Sequence, residues 1–374
     1  MRPLAIIGCG FVADLYMRSL ATFPHVQIAS VYDRDAARLK AFSTHWNLRA
    51  ESDLDTLLNR LPAGSLVLNL TNPASHFEIN AACLTAGHHV YSEKPLAVSM
   101  DEARAIHTLA SNQGLQVASA PCSVLGEAAQ TMGKAIRDKR AGETRLIYAE
   151  LDDGFISQAP FQSWRSESGA IWPAADEFQV GCTLEHAGYY LAWLIAWFGR
   201  VKTVVAASTE VLPNKDPSGQ GTPDASVATL FFEDGPMVRL TCSIVAPHNH
   251  AIKVIGDDGV LEMTKAWDND AKVKYRKRMV LRRRLLEHPI GRRIKIDGPT
   301  HPKVKRWGAA AMNFALGPME MLEAIDEGCD ARLSGDFALH LNEVTLAIQN
   351  AGQSSGAQQM TTSCDPMEPM PWAR

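Results

Sequence analysis

The chain opens with a short apolar stretch that runs directly into a glycine-containing turn. Residues Leu4–Ile7 are all hydrophobic, which is typical of a strand buried on both faces. A segment with helical spacing, Asp14–Thr22, follows the turn. The order of strand, glycine turn and helix predicts a site where backbone N–H groups approach a pyrophosphate. The residues of this turn are Gly8, Cys9, Gly10, Phe11, Val12 and Ala13.

A second apolar stretch ends in an acidic residue. Val26–Tyr32 predicts the next strand, and Asp33 follows it, 20 residues after Ala13. A carboxylate at this position accepts hydrogen bonds from the adenosine ribose and repels a 2′-phosphate, so the pattern favours NAD. Arg34 leaves NADP open as the alternative, because a guanidinium there pairs with a 2′-phosphate. A glycine turn that binds no nucleotide is the remaining interpretation.

Strand-like and helix-like segments continue to alternate up to residue 119. Such alternation predicts an α/β fold with a doubly wound parallel sheet. Ligands bind these sheets at the carboxyl ends of the strands, so polar residues that follow a strand are candidates for the cofactor site. They are Thr71, Asn72, Pro73, Glu93 and Lys94. For Lys94 the alternative is a solvated lysine before a turn proline.

From residue 146 onward the pattern changes to short stretches rich in Val, Ile, Thr and Phe, separated by glycine-containing turns. This pattern predicts a hairpin-rich sheet. Two loops interrupt it, one over 212–225 and a longer one over 153–180. The longer loop carries Trp164, Arg165 and Trp172, whose ring faces and cation suit a sugar ring and an anionic group. Simple packing is the alternative for these residues.

Composition supports an ordinary folded protein. Hydrophobic residues make up 46% and charged residues 21% of the 374 residues, which argues against disorder and coiled coil and indicates about two domains. The longest apolar run, Tyr189–Gly199, is too short for a membrane span, and we expect no signal peptide. The 7 cysteines form no C-x-x-C pair. We therefore expect reduced thiols in a cytoplasmic protein.

His248 and His250 are two residues apart on a predicted strand, so both side chains lie on the same face. No carboxylate or thiol lies near them in the sequence. The sequence therefore predicts no metal ion, and a substrate contact or no role for the pair.

Residues 272–306 are strongly basic. They hold 14 lysines and arginines against Glu287 and Asp297, a local charge of +12 in a chain of net charge -4. We expect no nucleic-acid partner, because no recognition motif accompanies the charge. Two functions stay open for the segment: contact with a phosphate-bearing substrate such as a nucleotide sugar, or contact with an anionic membrane surface.

Three motifs together resemble the glucose-fructose oxidoreductase / inositol dehydrogenase / MocA-type (Gfo/Idh/MocA) family. They are the turn 8–13, the stretch 71–76, which ends at His76, and the stretch 86–95, which ends in Glu-Lys-Pro. The likeness continues through 252–262 and 332–339 and covers nearly the whole chain to about residue 350.

The resemblance implies a Rossmann domain at 1–121 and an α+β domain with an open, mostly antiparallel sheet at 122–350, followed by an extended tail at 351–374. The second domain would bind substrate and form a homo-oligomer, a dimer or tetramer. His76 joins the cofactor-binding candidates. The implied activity is an NAD(P)-dependent oxidoreductase acting on a hydroxyl or keto carbon of a sugar or sugar derivative. The alternatives are a lyase or glycosidase that works by transient oxidation, and a regulatory sensor that binds the dinucleotide.

In the family, the lysine of the Glu-Lys-Pro motif, here Lys94, pairs with an Asp-x-x-x-His-x-x-Asp stretch to move a proton. Glu185, Tyr189 and Ala192 stand at those three positions, so the usual imidazole is missing. Spacings of three and four residues place Glu185, His186 and Tyr189 near one edge of a helix. We predict that Tyr189 or His186 completes proton transfer and contacts the substrate, with Glu185 orienting the pair. Structural packing is the alternative for both.

Overall fold

The computed structural model describes residues 2–213, 215, 221–265 and 267–374, so part of the predicted loop 212–225 lies outside the described residues. The chain forms two compact units, each assembled from three separate segments. The first unit consists of Met1–Cys122, Gln158–Val180 and Asn313–Asn342. The second consists of Ser123–Ser157, Gly181–Met312 and Glu343–Arg374.

The first unit contains a parallel sheet flanked by helices. Its strands are β1 (Leu4–Ile7), β2 (Ile28–Tyr32), β3 (Leu66–Asn69), β4 (His89–Ser92) and β5 (Val117–Ser119). Among the described residues the strand order is β2-β1-β3-β4-β5, with every neighbouring pair parallel. The predicted doubly wound parallel sheet is thereby confirmed. Its helices before residue 122 are α1 (Phe11–Leu20), α2 (Ala36–Trp46), α3 (Leu54–Arg60), α4 (His76–Thr85) and α5 (Met100–Asn112).

The central strands of this sheet are mostly apolar because helices cover both faces. All four residues of β1 and of β3 are buried. One hydrophobic core combines strand residues with apolar residues of α4, α5 and a later helix: Ala5, Ile7, Val67, Leu84, Val90, Ile106 and Leu339. This core fixes the carboxyl ends of the strands, where the candidate cofactor residues lie.

Two later segments belong to the first unit through contacts with its first helix and with the turn that follows it. The hydroxyl of Ser168 donates to the Asp14 carboxylate at 2.7 Å. The Asn313 amide donates to the Thr22 hydroxyl at 3.2 Å. These segments carry α7 (Ala174–Val180) and α9 (Leu316–Glu327). The second unit therefore differs from the predicted 122–350 domain, because it lacks residues 158–180 and 313–342 and includes the tail 351–374.

The second unit is built on a large sheet. Its strands are β6 (Thr144–Phe155), β7 (Val201–Thr209), β8 (Ala225–Phe232), β9 (Met237–Ser243), β10 (Val245–Asn249), β11 (Ile252–Gly256), β12 (Gly259–Met263), β13 (Lys274–Leu281), β14 (Arg284–Glu287), β15 (Arg292–Arg293) and β16 (Gln358–Gln359). In the described parts of the chain the path is β14-β13-β12-β11-β6-β9-β8-β7-β16, with β10 beside β6 and β15 beside β13. The pair β6–β9 is parallel and the other pairs are antiparallel, as predicted.

Helices α6 (Glu127–Arg137) and α8 (Gly188–Phe198) belong to the second unit, and α10 (Gly335–Gln349) begins in the first unit and ends in the second. The indole of Trp193 in α8 donates to the Ser123 hydroxyl at 2.9 Å. The tail 351–374 runs extended along this unit: β16 pairs with β7, and the Glu343 carboxylate accepts the backbone N–H groups of Thr361 and Thr362. Within the described residues, no helix has the length and apolar character needed to cross a bilayer.

Candidate active site

The turn after β1 has the features that a dinucleotide pyrophosphate requires. Gly8 has φ +96, and a Cβ on it would lie 2.6 Å from the carbonyl carbon of Leu70, so glycine is needed for the turn itself. Gly10 is the N-cap of α1 and offers no side-chain cap. A Cβ on Gly10 would meet no described atom within 4 Å. The N–H groups at this helix start, which no side chain caps, therefore fit an anionic group held against the backbone.

Asp33, at the end of β2, is 6% exposed and is already bonded to the turn. One carboxylate oxygen accepts the N–H of Cys9 at 2.8 Å, and the other accepts the N–H of Asp35 at 2.8 Å. Arg38 lies 3.6 Å from the same carboxylate, whereas Arg34 is exposed. Asp33 thus holds the glycine turn as well as standing where the ribose contact is predicted.

The loop after β3 is held by a buried amide network. The side-chain oxygen of Asn69 accepts from the Thr71 hydroxyl at 2.6 Å, and its amide donates to Asn80 at 2.7 Å. His76 is fully buried. Its two ring nitrogens face the carbonyl oxygens of Pro95 at 2.6 Å and Thr71 at 3.0 Å. His76 therefore ties the Thr-Asn-Pro turn to the Glu-Lys-Pro turn, and burial lowers its pKa.

Glu93 anchors the turn that carries Lys94. One oxygen of the buried Glu93 carboxylate accepts the Tyr16 hydroxyl at 2.8 Å, and the other accepts the backbone N–H of Lys94 at 3.0 Å. Tyr16 belongs to α1. The helix that begins at the glycine turn thus also fixes the backbone at Lys94. The lysine side chain itself is half-buried.

The strand order places these turns at one functional edge. The strand order is β2-β1-β3-β4-β5. The chain adds β2 on one side of β1 and β3 on the other, so the strand order reverses between β1 and β3. Open α/β sheets bind their ligands outside the carboxyl ends of the strands at such a switch point. The glycine turn follows β1, the Thr-Asn-Pro turn follows β3, and Lys94 follows the neighbouring β4.

The aromatic segment 158–180 packs within the first unit. Trp164 and Trp172 stack edge to face with centroids 5.1 Å apart, and Trp172 also contacts Phe161 and Phe178. The Arg165 guanidinium donates to the backbone carbonyls of its own loop. The segment therefore has a packed aromatic core with partly exposed tryptophans. Another contact joins this aromatic segment to the Thr-Asn-Pro turn after β3, since the Asn72 amide donates to the Asp176 carboxylate at 3.3 Å.

Glu185, His186 and Tyr189 do not lie on one regular helix. A π-helical turn spans Thr183–Ala187, and α8 starts only at Gly188. The expectation that α-helical spacing aligns these three side chains was wrong, because the wider turn changes the angular step between residues. Glu185 and His186 are buried, whereas Tyr189 is half-buried.

The second unit brings Asp153 beside three histidines, a cluster that sequence spacing did not indicate. His186 Nδ1 lies 3.4 Å from one Asp153 carboxylate oxygen. His250 Nε2 and His248 Nε2 lie 3.5 Å and 3.9 Å from the other. Burial, followed by the neighbouring His250, lowers the pKa of His248. The adjacent acidic residues Asp152 and Asp153 near the end of β6 are visible in the sequence. No sequence pattern connects them to the three histidines.

Trp267 is a further residue that sequence reasoning missed. Its ring lies 6.0 Å from that of Tyr189 and 4.8 Å from that of His250. Tyr189 and the histidine pair therefore share one aromatic neighbour within the second unit. Tyr190, next in the chain, is buried and donates its hydroxyl to the His250 carbonyl oxygen at 2.5 Å.

Comparison with known proteins assigns the family. Residues 3–120 match the model described as the oxidoreductase family with NAD-binding Rossmann fold. Residues 129–262 match the model of the GFO/IDH/MocA C-terminal domain. The chain belongs to the GFO/IDH/MocA family. It is an oxidoreductase with an NAD-binding Rossmann domain, which confirms the family and the cofactor that the three motifs predict.

Relatives and solved structures agree with this assignment. An uncharacterized oxidoreductase of Synechocystis sp. is 24% identical over 318 residues, 80% of this chain and 81% of that protein. Mouse trans-1,2-dihydrobenzene-1,2-diol dehydrogenase is 24% identical over 266 residues, 70% of this chain and 74% of that protein. The WlbA dehydrogenase from Bordetella pertussis, crystallised with NADH and UDP-GlcNAcA, matches with a TM-score of 0.71 at 17% identity, over 96% of this chain and 98% of that one.

Proposed function

We propose that this GFO/IDH/MocA member oxidises or reduces a hydroxyl or keto carbon of a sugar or sugar derivative. The observation that carries the proposal is the anchored Glu-Lys-Pro turn, which fixes Lys94 at the carboxyl end of β4 beside the switch point of the sheet. NAD, when bound, supplies the hydride acceptor or donor. The chain has to bind and orient the substrate and handle the hydroxyl proton.

We assign the transfer of the substrate hydroxyl proton to Lys94. The ammonium group carries a proton that can be exchanged with a substrate oxygen, and its charge favours a developing alkoxide. Glu93 supports this role from the backbone side, since it accepts the N–H of Lys94 and the hydroxyl of Tyr16. The turn is therefore held on rigid elements, as a positioned acid or base requires.

In the second unit we assign Tyr189 the proton-transfer role and His186 a positioning role. A group that exchanges a proton with a substrate must reach it, and Tyr189 is half-buried whereas the His186 side chain is 10% exposed. His186 lies against the Asp153 carboxylate. Its burial fits a residue that orients its neighbours better than one that meets the substrate.

The aromatic segment 158–180 supports our proposal for the substrate class. Trp164 and Trp172 are only partly buried although they pack together, and an exposed ring edge or face suits the apolar side of a sugar. Arg165 is exposed on the same loop, where a guanidinium suits a carboxylate or phosphate. The WlbA dehydrogenase, which has a similar fold, was crystallised with UDP-GlcNAcA, a nucleotide-linked sugar. We propose an anionic or nucleotide-linked sugar as substrate.

One screen tests the proposal and its alternatives. The purified protein is incubated with sugars, uronic acids and nucleotide sugars, with and without added NAD, and both the absorbance of reduced nicotinamide and the products are followed. Net formation of reduced cofactor supports the proposal. Turnover without net reduction would instead show transient oxidation with elimination, and cofactor binding without either would show a sensor.

A further inference from the structure

Three side chains of metal-ligating type converge in the second unit. They are Asp153 on β6, His248 on β10 and His250 directly after β10. One ligand atom from each lies within 4.8 Å of the other two. Two imidazoles and one carboxylate are a donor set that binds first-row divalent metals in proteins.

A β-bulge creates this convergence. In the antiparallel pair β10–β6, Ala246 lies opposite Gly154 and Asn249 lies opposite Asp152, with a register shift between them. Two residues of β10, one of them His248, therefore face the single residue Asp153. Bulges of this kind redirect a side chain locally and are frequent next to functional sites. His250 follows two residues later, on the same side as His248.

The burial of two members of the cluster, His250 and Asp153, points to a bound ligand. The His250 side chain is 2% exposed and that of Asp153 7% exposed. No hydrogen bond of acceptable geometry is made by His250 Nε2 to any described residue. A buried polar atom without a partner is costly, of order 1–3 kcal/mol. Coordination of a cation satisfies this nitrogen and compensates the buried carboxylate at the same time.

The cluster also has the surroundings of a metal site. The Tyr190 hydroxyl fixes the backbone carbonyl of His250, and the Trp267 ring packs 4.8 Å from the His250 ring. His186 lies 3.4 Å from the second Asp153 oxygen, where an outer partner orients the carboxylate. The His248 side chain is 56% exposed, which gives a metal ion a route from solvent.

We propose that Asp153, His248 and His250 form a divalent metal site that binds zinc. Zinc binds histidine nitrogen and carboxylate oxygen at about 2.0–2.2 Å. The three donor atoms lie within 4.8 Å of one another, so binding requires the side chains to close around the ion. Magnesium and calcium prefer all-oxygen sites and are disfavoured by two imidazoles. Three protein ligands leave a position for water or for an oxygen of a bound molecule. The proposal does not depend on the activity proposed above.

Metal binding to the full-length protein tests the proposal directly. After treatment with a chelator, the protein is titrated with Zn²⁺ by calorimetry, and with Co²⁺ to record its visible absorption bands. We expect one ion per chain and a Co²⁺ spectrum of nitrogen and oxygen ligation without a thiolate charge-transfer band. Mg²⁺ in equal amount should not compete. A spectrum with the thiolate band would assign the metal to cysteines and overturn the proposal.

Variants locate the ion. His248→Gln, at an exposed position, and Asp153→Asn should each weaken Zn²⁺ binding by about tenfold or more, because each removes a ligand. The matched controls are Asp152→Asn, the neighbouring acid that accepts from Ser243, and His288→Gln, an exposed histidine of the same unit; both should bind as the wild type does. Zn²⁺ should raise the unfolding temperature of the wild type more than that of His248→Gln. Unchanged zinc affinity in His248→Gln, which keeps the fold, would overturn the proposal.

Discussion

Asp33 supports both the glycine turn and the predicted specificity for NAD. Its carboxylate accepts the N–H groups of Cys9 and Asp35, so its complete removal disturbs the turn that either cofactor needs. Asp33→Asn keeps one acceptor oxygen for the turn, loses the second turn bond and removes the charge that repels a 2′-phosphate. We expect NAD binding to weaken by about tenfold or more in this variant, with a smaller loss for NADP. Asp33→Ala should weaken both.

Titration of intrinsic tryptophan fluorescence with each dinucleotide measures these affinities. Lys40→Gln serves as a control, because Lys40 is an exposed residue of α2 and lies outside the turn contacts described above. Equal weakening of NAD and NADP in Asp33→Asn would contradict the ribose assignment.

Lys94 is the residue on which the proposed chemistry depends. Lys94→Met retains most of the side-chain length and removes the exchangeable proton and the charge. We expect kcat to fall by about 100-fold or more, the usual contribution of a positioned acid or base, with NAD affinity little changed. Steady-state kinetics with a substrate found by the screen measure the effect. The control is Lys40→Met, an exposed lysine of α2, which should keep full activity, whereas a loss below tenfold in Lys94→Met would refute the assignment.

The assignment of Tyr189 and His186 can be separated by kinetics. Tyr189→Phe keeps the ring contact with Trp267 and removes the hydroxyl, so we expect kcat to fall by about 100-fold with KM changed only a few-fold. His186→Gln should lower kcat by less than about tenfold, because it disturbs only the orientation of Asp153. Unfolding curves check that both variants fold. A larger kcat loss in His186→Gln than in Tyr189→Phe would reverse the two roles.

These residues differ in how far the sequence could predict them. Gly8, Asp33 and Lys94 each follow a strand, and local rules connect a position after a strand with the cofactor edge of the sheet. Asp153 could not be connected with His248 in that way, because their proximity depends on the pairing of β6 with β10 and on a bulge. A one-residue change in register alters which side chains meet, and the sequence alone does not specify it.

At the level of elements, the helix around Glu185 shows the limit of periodicity. The apolar residues of α8 gave a regular helical pattern that the structure confirms over Gly188–Phe198. The same spacing applied to 185–189 was wrong, because the turn at Thr183–Ala187 is π-helical. Such turns are single, local departures from the α-helix that leave the surrounding pattern intact. The sequence therefore predicted the helix but not the directions of its first side chains.

The basic segment forms a β-hairpin with an unusual surface. Strands β13 and β14 pair Val280 with Leu285 and Met279 with Leu286. Val280 is 73% exposed and Leu285 60% exposed, beside three arginines at 282–284. Exposed apolar side chains combined with a cluster of cations match the surface of an anionic bilayer, where the chains insert and the cations meet lipid phosphate. We propose this hairpin as a peripheral contact for anionic membranes.

The hairpin contact predicts salt-sensitive binding to vesicles. The full-length protein should cosediment with phosphatidylcholine vesicles that contain phosphatidylserine and much less with phosphatidylcholine alone. Added salt should weaken the binding, because about 1 kcal/mol per cation comes from the surface potential. The double variant Val280→Ser and Leu285→Ser should bind less. Val227→Ser is the matched control for a lost apolar side chain at an exposed position of the same unit, in β8; it should bind as the wild type does. Equal binding to both kinds of vesicle would contradict the proposal.

At the scale of the whole molecule, the sequence predicted both sheets and misassigned two segments. Alternating strands and helices before residue 122 and hairpin signals after residue 146 were sufficient for the two sheet types, because each depends on local periodicity. The segments 158–180 and 313–342 belong to the first unit and not, as predicted, to the second. Their attachment depends on contacts such as Ser168 with Asp14 and Asn313 with Thr22, which no local pattern reveals.

Two buried histidines of the first unit, His89 and His76, make its stability depend on pH. His89, at the start of β4, is 8% exposed, and its Nδ1 accepts the N–H of Gln116 at 3.0 Å. Burial, followed by the charge of Arg2, lowers the pKa of His89 to about 4. Burial lowers the pKa of His76 as well. Both rings are therefore held neutral in the folded protein at pH values where an exposed histidine is charged.

Acid should consequently destabilise the fold through His89. An unfolded histidine titrates near pH 6.5, so the unfolded chain binds a proton before the folded chain does. The free energy of unfolding then decreases as the pH falls from about 6.5 to 4, by up to about 3 kcal/mol from this residue. His89→Asn retains an acceptor for the Gln116 N–H and removes the titration. We expect its urea-unfolding midpoint to decrease less between pH 7 and 4.5 than that of the wild type or of the exposed control His288→Gln. Parallel pH profiles for all three proteins would show that His89 does not supply this dependence.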